Sequence, residues 1–264
     1  MTSQEKARFF LFFSIAAIAT FLSGRSIAHS ETPPLPAASK TEKHVWPPGH
    51  LVLQAGGYWR TDASPQFIHI NGLIGDKFTI GQAYHSNGLF GVGYYVDGKD
   101  YERFQMSYGL NWYYLPQTAI AGTVLQENLY PNLSYAYHVT NYPLYVVAKS
   151  TGSTPVLGTR LTVNVGVGPN FMTTSNFNER SMLSGSTAAI PDHIFTGKTT
   201  TTFSVTAGTG LRWDNFMGQV PLECGYQFYY LGQSGLNIVN NQVQNALKTG
   251  TLYANAVTCA VMIG

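Results

Sequence analysis

Between residues 201 and 213 the chain alternates two kinds of side chain. Phe203, Val205, Ala207, Leu211 and Trp213 share one parity, and Ser204, Thr206, Gly208, Gly210 and Arg212 share the other. Successive side chains of an extended strand point to opposite faces, so this segment presents one apolar and one polar face. The pattern recurs in Leu161, Val163, Val165 and Val167 against Arg160, Thr162, Asn164, Gly166 and Gly168. It recurs again in Phe104, Met106, Tyr108, Leu110, Trp112 and Tyr114 against Arg103, Gln105, Ser107, Gly109, Asn111 and Tyr113. A soluble ligand-binding barrel would turn the apolar set inward and cover its outside with solvating residues. Neither face has them: 11% of the chain is Asp, Glu, Lys or Arg, against ~25% in ordinary globular proteins. The apolar set is therefore assigned to lipid and the polar set to a closed interior.

Strand signals occur at 51–59, 87–96, 103–114, 132–150, 157–171, 201–213, 219–230 and 250–263. Most reach the ~9–11 tilted residues that a bilayer crossing needs. The gaps alternate between long (60–86, 115–131, 172–200 and 231–249) and short (97–102, 151–156 and 214–218). These features predict an all-β fold, a transmembrane antiparallel up-and-down barrel of eight strands with short periplasmic turns and four long extracellular loops. Ten strands are the runner-up, if 66–74 and 76–84 also cross. Gln66-Phe-Ile-His-Ile70 otherwise reads as a hairpin extending above the membrane, and Pro143 predicts a bulge or bend in the fourth strand.

The N-terminus carries Lys6 and Arg8, an apolar run from Phe9 to Leu22, and small residues at Ser26-Ile27-Ala28. This is the pattern of a cleaved export signal, assigned to 1–28, and the run is short for a spanning helix. Residues 29–50 hold Pro33, Pro34, Pro36, Pro47 and Pro48 and read as a periplasmic linker; 51–264 form the barrel. The net charge is +2 with no Lys/Arg cluster, so nucleic-acid binding has no electrostatic footprint. No metal-ligand spacing surrounds the two cysteines, and no cofactor is expected.

The segments Gly88-Leu-Phe-Gly-Val-Gly-Tyr94, Leu161-Thr-Val-Asn-Val-Gly-Val-Gly168, Thr199-Thr-Thr-Thr-Phe-Ser-Val205 and Cys224-Gly-Tyr-Gln-Phe-Tyr229 resemble the small OmpA/OmpX-like outer-membrane β-barrel family, particularly its members in intracellular Gram-negative pathogens. The likeness spans roughly residues 50–264. It implies location in a Gram-negative outer membrane, contact with the barrel-assembly machinery, and roles in adhesion, envelope integrity or host contact. It supplies no catalytic residue. Such barrels usually end in an aromatic residue, whereas this chain ends Ala260-Val-Met-Ile-Gly264.

Several residues are candidates for particular roles. Arg103, Arg160, Arg212 and Glu223 are assigned to the interior, where a narrow barrel requires buried charges to be paired. Gln54, Gln105, Asn164 and Gln227 would fill the remaining space, forming a polar plug rather than a charged pore. Trp59, Trp112, Tyr114, Trp213, Phe228 and Tyr230 are assigned to interfacial girdles. Cys224 and Cys259 fall close in register about a hairpin centred near residue 241. Because a cross-strand bridge is geometrically demanding, two separate thiols are expected, with a disulfide as the alternative. His85-Ser86 suggests a lipid hydrolase, yet adjacent strand residues point to opposite faces and no acidic partner lies near, so no enzyme is expected.

The expected protein is thus a monomeric outer-membrane barrel with a structural or surface-interaction role. Its loops would meet a host or envelope protein and its outside would meet lipid. A narrow channel for small or apolar solutes is the alternative, and a barrel-embedded lipid hydrolase a remote one.

Overall fold

A computed structural model describes residues 49–61, 64–81, 85–154, 158–183, 188–216 and 220–264. The export signal and all of the Pro-rich segment except Gly49 and His50 lie outside these residues. The strands in chain order are β1 (Gly49–Thr61), β2 (Gln66–Ile68), β3 (Asp76–Phe78), β4 (Ser86–Tyr101), β5 (Phe104–Gln126) and β6 (Tyr130–Ser153). They continue with β7 (Arg160–Ser181), β8 (Phe195–Thr196), β9 (Lys198–Phe216), β10 (Val220–Gly235), β11 (Asn237–Ile238) and β12 (Lys248–Ile263). The eight long strands, β1, β4, β5, β6, β7, β9, β10 and β12, each pair antiparallel with the next. Pairing of β1 with β12 closes the ring.

The lower parts of these strands carry an apolar exterior. Val146, Val165 and Phe203 are 63%, 55% and 65% exposed, values that soluble proteins rarely show for adjacent large apolar residues. One outward aromatic on each strand marks the top of this band: Trp59, Phe90, Tyr114, Tyr142, Phe171, Phe203, Tyr230 and Tyr253. Phe90 pairs with Tyr114, whose ring stacks on Tyr142 at 5.3 Å, and Tyr142 pairs with Phe171. Immediately above, the outward positions become polar: Thr61, Ser86, Gln117, Thr140, Thr173, Thr201, Gln233 and Thr251. An apolar belt ending in aromatics and then in hydroxyls and amides is the exterior that a bilayer selects.

Above the belt the facing rule inverts. On β6, Tyr142, Leu144 and Val146 point outward, but higher up Thr140, His138 and Ser134 point outward while Val139, Tyr137 and Leu133 are buried inside. Water instead of lipid surrounds this part, so its apolar side chains face in. The upper ends of β5, β6 and β7, together with the intervening loops, form a crown with a soluble-type core. Phe78 contacts Tyr135 and Phe195 edge-on at 5.0 and 5.9 Å, and Ile68, Ile120, Val124, Met172, Leu236 and Leu252 surround them.

Two expectations change, and the ten-strand alternative falls. Residues 115–131 continue as strand, reversing only at 127–129, where Glu127 and Asn128 take φ of 51° and 59°. The lipid-facing alternation ends near Tyr114, but the backbone ladder does not. The described residues of 66–74 and 76–84 do not cross the membrane; β2 and β3 form a short hairpin against Leu125 and Val124 of β5, so the ring has the eight strands expected. The bulge expected at Pro143 lies instead on the facing strand, between Leu115 and Thr118 of β5. Pro116 and Gln117 are the residues looped there, and β6 itself runs on unbroken.

The crown core should behave as a cooperative unit. Tyr137→Ala should destabilise it by about 3–5 kcal/mol, the usual cost of emptying a large buried aromatic site. Limited proteolysis of the folded protein would reveal this as cleavage above the belt, with the membrane-spanning fragment left protected.

Candidate functional site

The lumen is packed in layers, rising from the periplasmic mouth. At the rim, Arg160 and Arg212 lie directly opposite each other on β7 and β9, a repulsive placement by itself. Asp214 resolves it by forming an ion pair with Arg160 Nε at 2.9 Å and accepting from Arg212 Nε at 2.7 Å. Further in, the Lys149 ammonium donates to Glu223 Oε2, and Thr162 donates to Glu223 Oε1 at 3.0 Å. Lys149 also lies 5.5 Å above the ring centre of Tyr95.

The next layer consists of amides and phenols. Asn164 and Gln227 exchange hydrogen bonds at 3.2 and 2.9 Å. Asn111 Nδ2 donates to the hydroxyls of Tyr95 and Tyr113 at 2.7 and 3.2 Å, and the Tyr113 hydroxyl donates to Gln54 at 3.2 Å. Tyr229 packs its ring against Tyr113 and Tyr145, at 5.4 and 6.2 Å. A void of about 20 Å³ bordered by Gln54, Asn164, Glu223 and Gln227 has room for about one water molecule. Higher still, Asn170 donates to Asn141 at 2.9 Å and to the Leu231 carbonyl at 2.9 Å, below the apolar core of the crown.

Glycines opposite the large polar side chains make this filling feasible. A Cβ at Gly93 would fall 1.9 Å from Asn111 Oδ1, and one at Gly208 would fall 2.0 Å from Gln227 Oε1. Each glycine admits a side chain from the facing strand into space that its own would occupy.

Several sequence-based assignments shift. Arg103 lies exposed in the turn between β4 and β5 and does not join the interior network. Arg160 and Arg212 pair with Asp214 rather than Glu223, whose cation is Lys149. Neither Lys149 nor Asp214 was among the sequence candidates. Period-two reading of β6 from Leu144 would have turned Lys149 inward, and parity with Arg212 would have placed Asp214. Gln105 is half-buried opposite Thr151, near the periplasmic turn. Trp59, Trp112, Tyr114, Phe228 and Tyr230 face outward at or just below the upper belt, and Trp213 faces outward near the lower end of β9. Contrary to the expectation of two separate thiols, Cys224 and Cys259 are joined. They are register partners on β10 and β12 with Cα atoms 4.1 Å apart, and both share the outward, lipid-facing side.

The crown closes over the lumen because its loops bond to one another. Asn71 N–H donates to the Gln242 carbonyl and Val239 N–H to the Ile194 carbonyl, each at 2.8 Å. Met182 N–H donates to the Asn132 carbonyl at 2.8 Å, and β8 pairs with β11. Two buried carboxylates assist: Asp76 accepts from the Glu127 N–H at 3.0 Å and Glu179 from the His193 N–H at 3.1 Å. Desolvation raises both above the ordinary carboxylate range, these backbone bonds oppose the rise, and nearby Asp192 adds to it.

No family model matches the sequence, and neither does any curated protein. Solved structures with a similar strand arrangement include outer membrane protein OprG from Pseudomonas aeruginosa, at 11% identity and a TM-score of 0.47, covering 81% of this chain and 96% of that one. The outer membrane protease OmpT from Escherichia coli has 6% identity and a TM-score of 0.46, with 85% and 100% covered. Neisserial surface protein A has 11% identity and a TM-score of 0.35, with 81% and 96% covered. Likeness at this level says nothing of a shared role.

The charged layer and the crown each have an expected signature. Glu223→Gln should destabilise the barrel by roughly 3–5 kcal/mol, because it strands a buried ammonium. The double replacement Lys149→Met with Glu223→Leu should recover most of that loss in a denaturant titration. In the crown, carboxylates with raised folded values favour the folded state below the ordinary carboxylate range, and that contribution fades as pH rises through the raised values. Hydrogen-exchange protection factors at residues 192–195, in which the intrinsic base-catalysed rise is divided out, should therefore fall on going from about pH 4 to neutrality, and Glu179→Gln should flatten the trend.

Proposed function

We propose that this chain is an outer-membrane β-barrel of a Gram-negative bacterium that conducts no solute and acts through its extracellular surface, as a structural or adhesive protein. The observation that carries this reading is the double closure of the lumen. A polar, tyrosine-rich layer fills the membrane-spanning part and an apolar core fills the crown above it. Charges at the mouth are consumed by one another, which suits a plug better than a path for ions.

The crown supports the second half of the reading. Its tips present large apolar side chains to water: Leu73 and Ile74, Leu129 and Tyr130, Met182 and Leu183, Ile238 and Val239. These tips belong to separate loops held by the backbone bonds described above, so a partner would meet a preformed surface and little ordering cost would oppose binding. A host or envelope protein is the partner this chemistry favours. No catalytic role is assigned to the barrel.

Refolded protein in a planar bilayer, checked for insertion by its heat-modifiable gel shift, should give no stable single-channel conductance. Reproducible conductance by the wild-type protein would overturn the plug and make Lys149, Glu223 and the Arg160–Asp214–Arg212 cluster pore residues.

A further inference from the structure

The outer wall of the crown carries a feature that neither the plug nor the loop tips use. Where β5, β6 and β7 rise above the aromatic belt, a groove of about 480 Å³ opens sideways. Its floor is the cross-strand pair Ala121–Ala136. Ser134, His138, Asn176, Asn178 and Arg180 stand around it.

A bulge shapes this groove. Register shifts between the pairs Ala136–Asn178 and His138–Ser175, so β7 fits an extra residue there. Asn176 takes φ of 53°, a left-handed conformation that Asn tolerates better than most residues. Phe177 turns inward to contact Phe195 at 5.4 Å, and Asn176 and Asn178 are both left exposed. Bulges commonly re-aim side chains beside binding sites.

Arg180, Asn176 and Asn178 are the polar groups here that are open to a ligand, while the Ser134 hydroxyl donates to the Arg180 carbonyl at 3.3 Å. Arg180 is exposed, and among the described residues no carboxylate pairs with its guanidinium; the neighbouring Glu179 is buried and bonded to the His193 N–H. His138 Nδ1 is buried without a hydrogen-bond partner. An exposed guanidinium fork and two exposed amides over a small-residue floor, edged by the His138 imidazole, suit a phosphorylated, hydroxyl-rich group.

Height identifies where such a group would come from. His138 and Ser134 lie above Tyr142 of the belt on the same strand. At ~3.3 Å per residue and a tilt of ~40°, they stand roughly 10 and 20 Å above it. Phospholipid headgroups extend only about 5–8 Å beyond the hydrocarbon. A sideways-facing groove at that height is level with the saccharides of lipids standing beside the barrel. We propose that it binds the phosphorylated saccharide head of an outer-leaflet glycolipid. The proposal rests on the outer-membrane reading given above.

The test uses the full chain refolded into phosphatidylcholine nanodiscs, with the heat-modifiable shift certifying insertion. Bound lipid is read by native mass spectrometry during titration with lipopolysaccharide bearing a phosphorylated core. Arg180→Gln should weaken binding about tenfold, as expected for loss of a charge-assisted contact. Ala136→Phe, which fills the floor, should do the same, and both variants should keep the gel shift. Dephosphorylated lipopolysaccharide should bind more weakly, and phosphatidylglycerol should not compete. Equal binding by wild type and Arg180→Gln would overturn the proposal, as would effective competition by phosphatidylglycerol or by inorganic phosphate. Absence of the gel shift in every bilayer would instead sink the membrane placement, and the glycolipid ligand with it.

Discussion

The pairing of β1 with β12 is the constraint on which everything else depends. In hydrocarbon a backbone amide without a partner costs several kcal/mol, so a sheet that crosses a bilayer must have no free edge. Closing eight tilted strands leaves an interior just wide enough for side chains. The outer face is then fixed by lipid and the inner face by neighbours across the lumen. Inward residues can be polar only if each finds a partner within a few ångströms. The exchange between Asn164 and Gln227, the sharing of Asp214 by two arginines, and the Lys149–Glu223 pair are all local answers to that one geometric demand.

The crown answers a different solvent with the same strands. Along β6 the backbone does not change, yet the side chain suited to the outside passes from Val146 to His138 within a few residues. A single rule therefore cannot read the whole strand, because the medium outside changes partway along it. Where lipid lies outside, charges, amides and phenols dominate the lining, beside a few aliphatic residues such as Val52 and Val147, and where water lies outside the lining is chiefly apolar. The upper core consequently forms a lid of a chemical kind different from the plug beneath it.

This inversion decides what was legible in the sequence. Eight crossing segments could be found, since a strand with lipid on one side and a filled lumen on the other demands large apolar residues alternating with small or polar ones. The upper halves of β5 and β7 were missed, because alternation with reversed meaning looks like loop when only lipid-facing strands are sought. The interior cast was partly legible: Gln54, Asn164, Gln227 and Glu223 were placed by parity alone. Their partners were not, because parity fixes a face but not a partner: Arg212 lies directly opposite Glu223, yet its guanidinium turns to Asp214 and Lys149 reaches Glu223 from β6. The bridge between Cys224 and Cys259 was hard to read for a related reason. Direct opposition of the two residues depends on a register that a bulge near Gly232 also adjusts.

The glycines of the lumen have a consequence for how such an interior can change over generations. Gly93 makes room for Asn111, and Gly208 for Gln227, so each position's tolerance is set by the other's size. Enlarging the glycine is harmful unless the amide opposite shrinks, and shrinking the amide alone leaves a hole and stranded partners. Variation inside the barrel should therefore be inherited in compensating couples. The outward faces, in contact with fluid lipid, are free to drift one residue at a time.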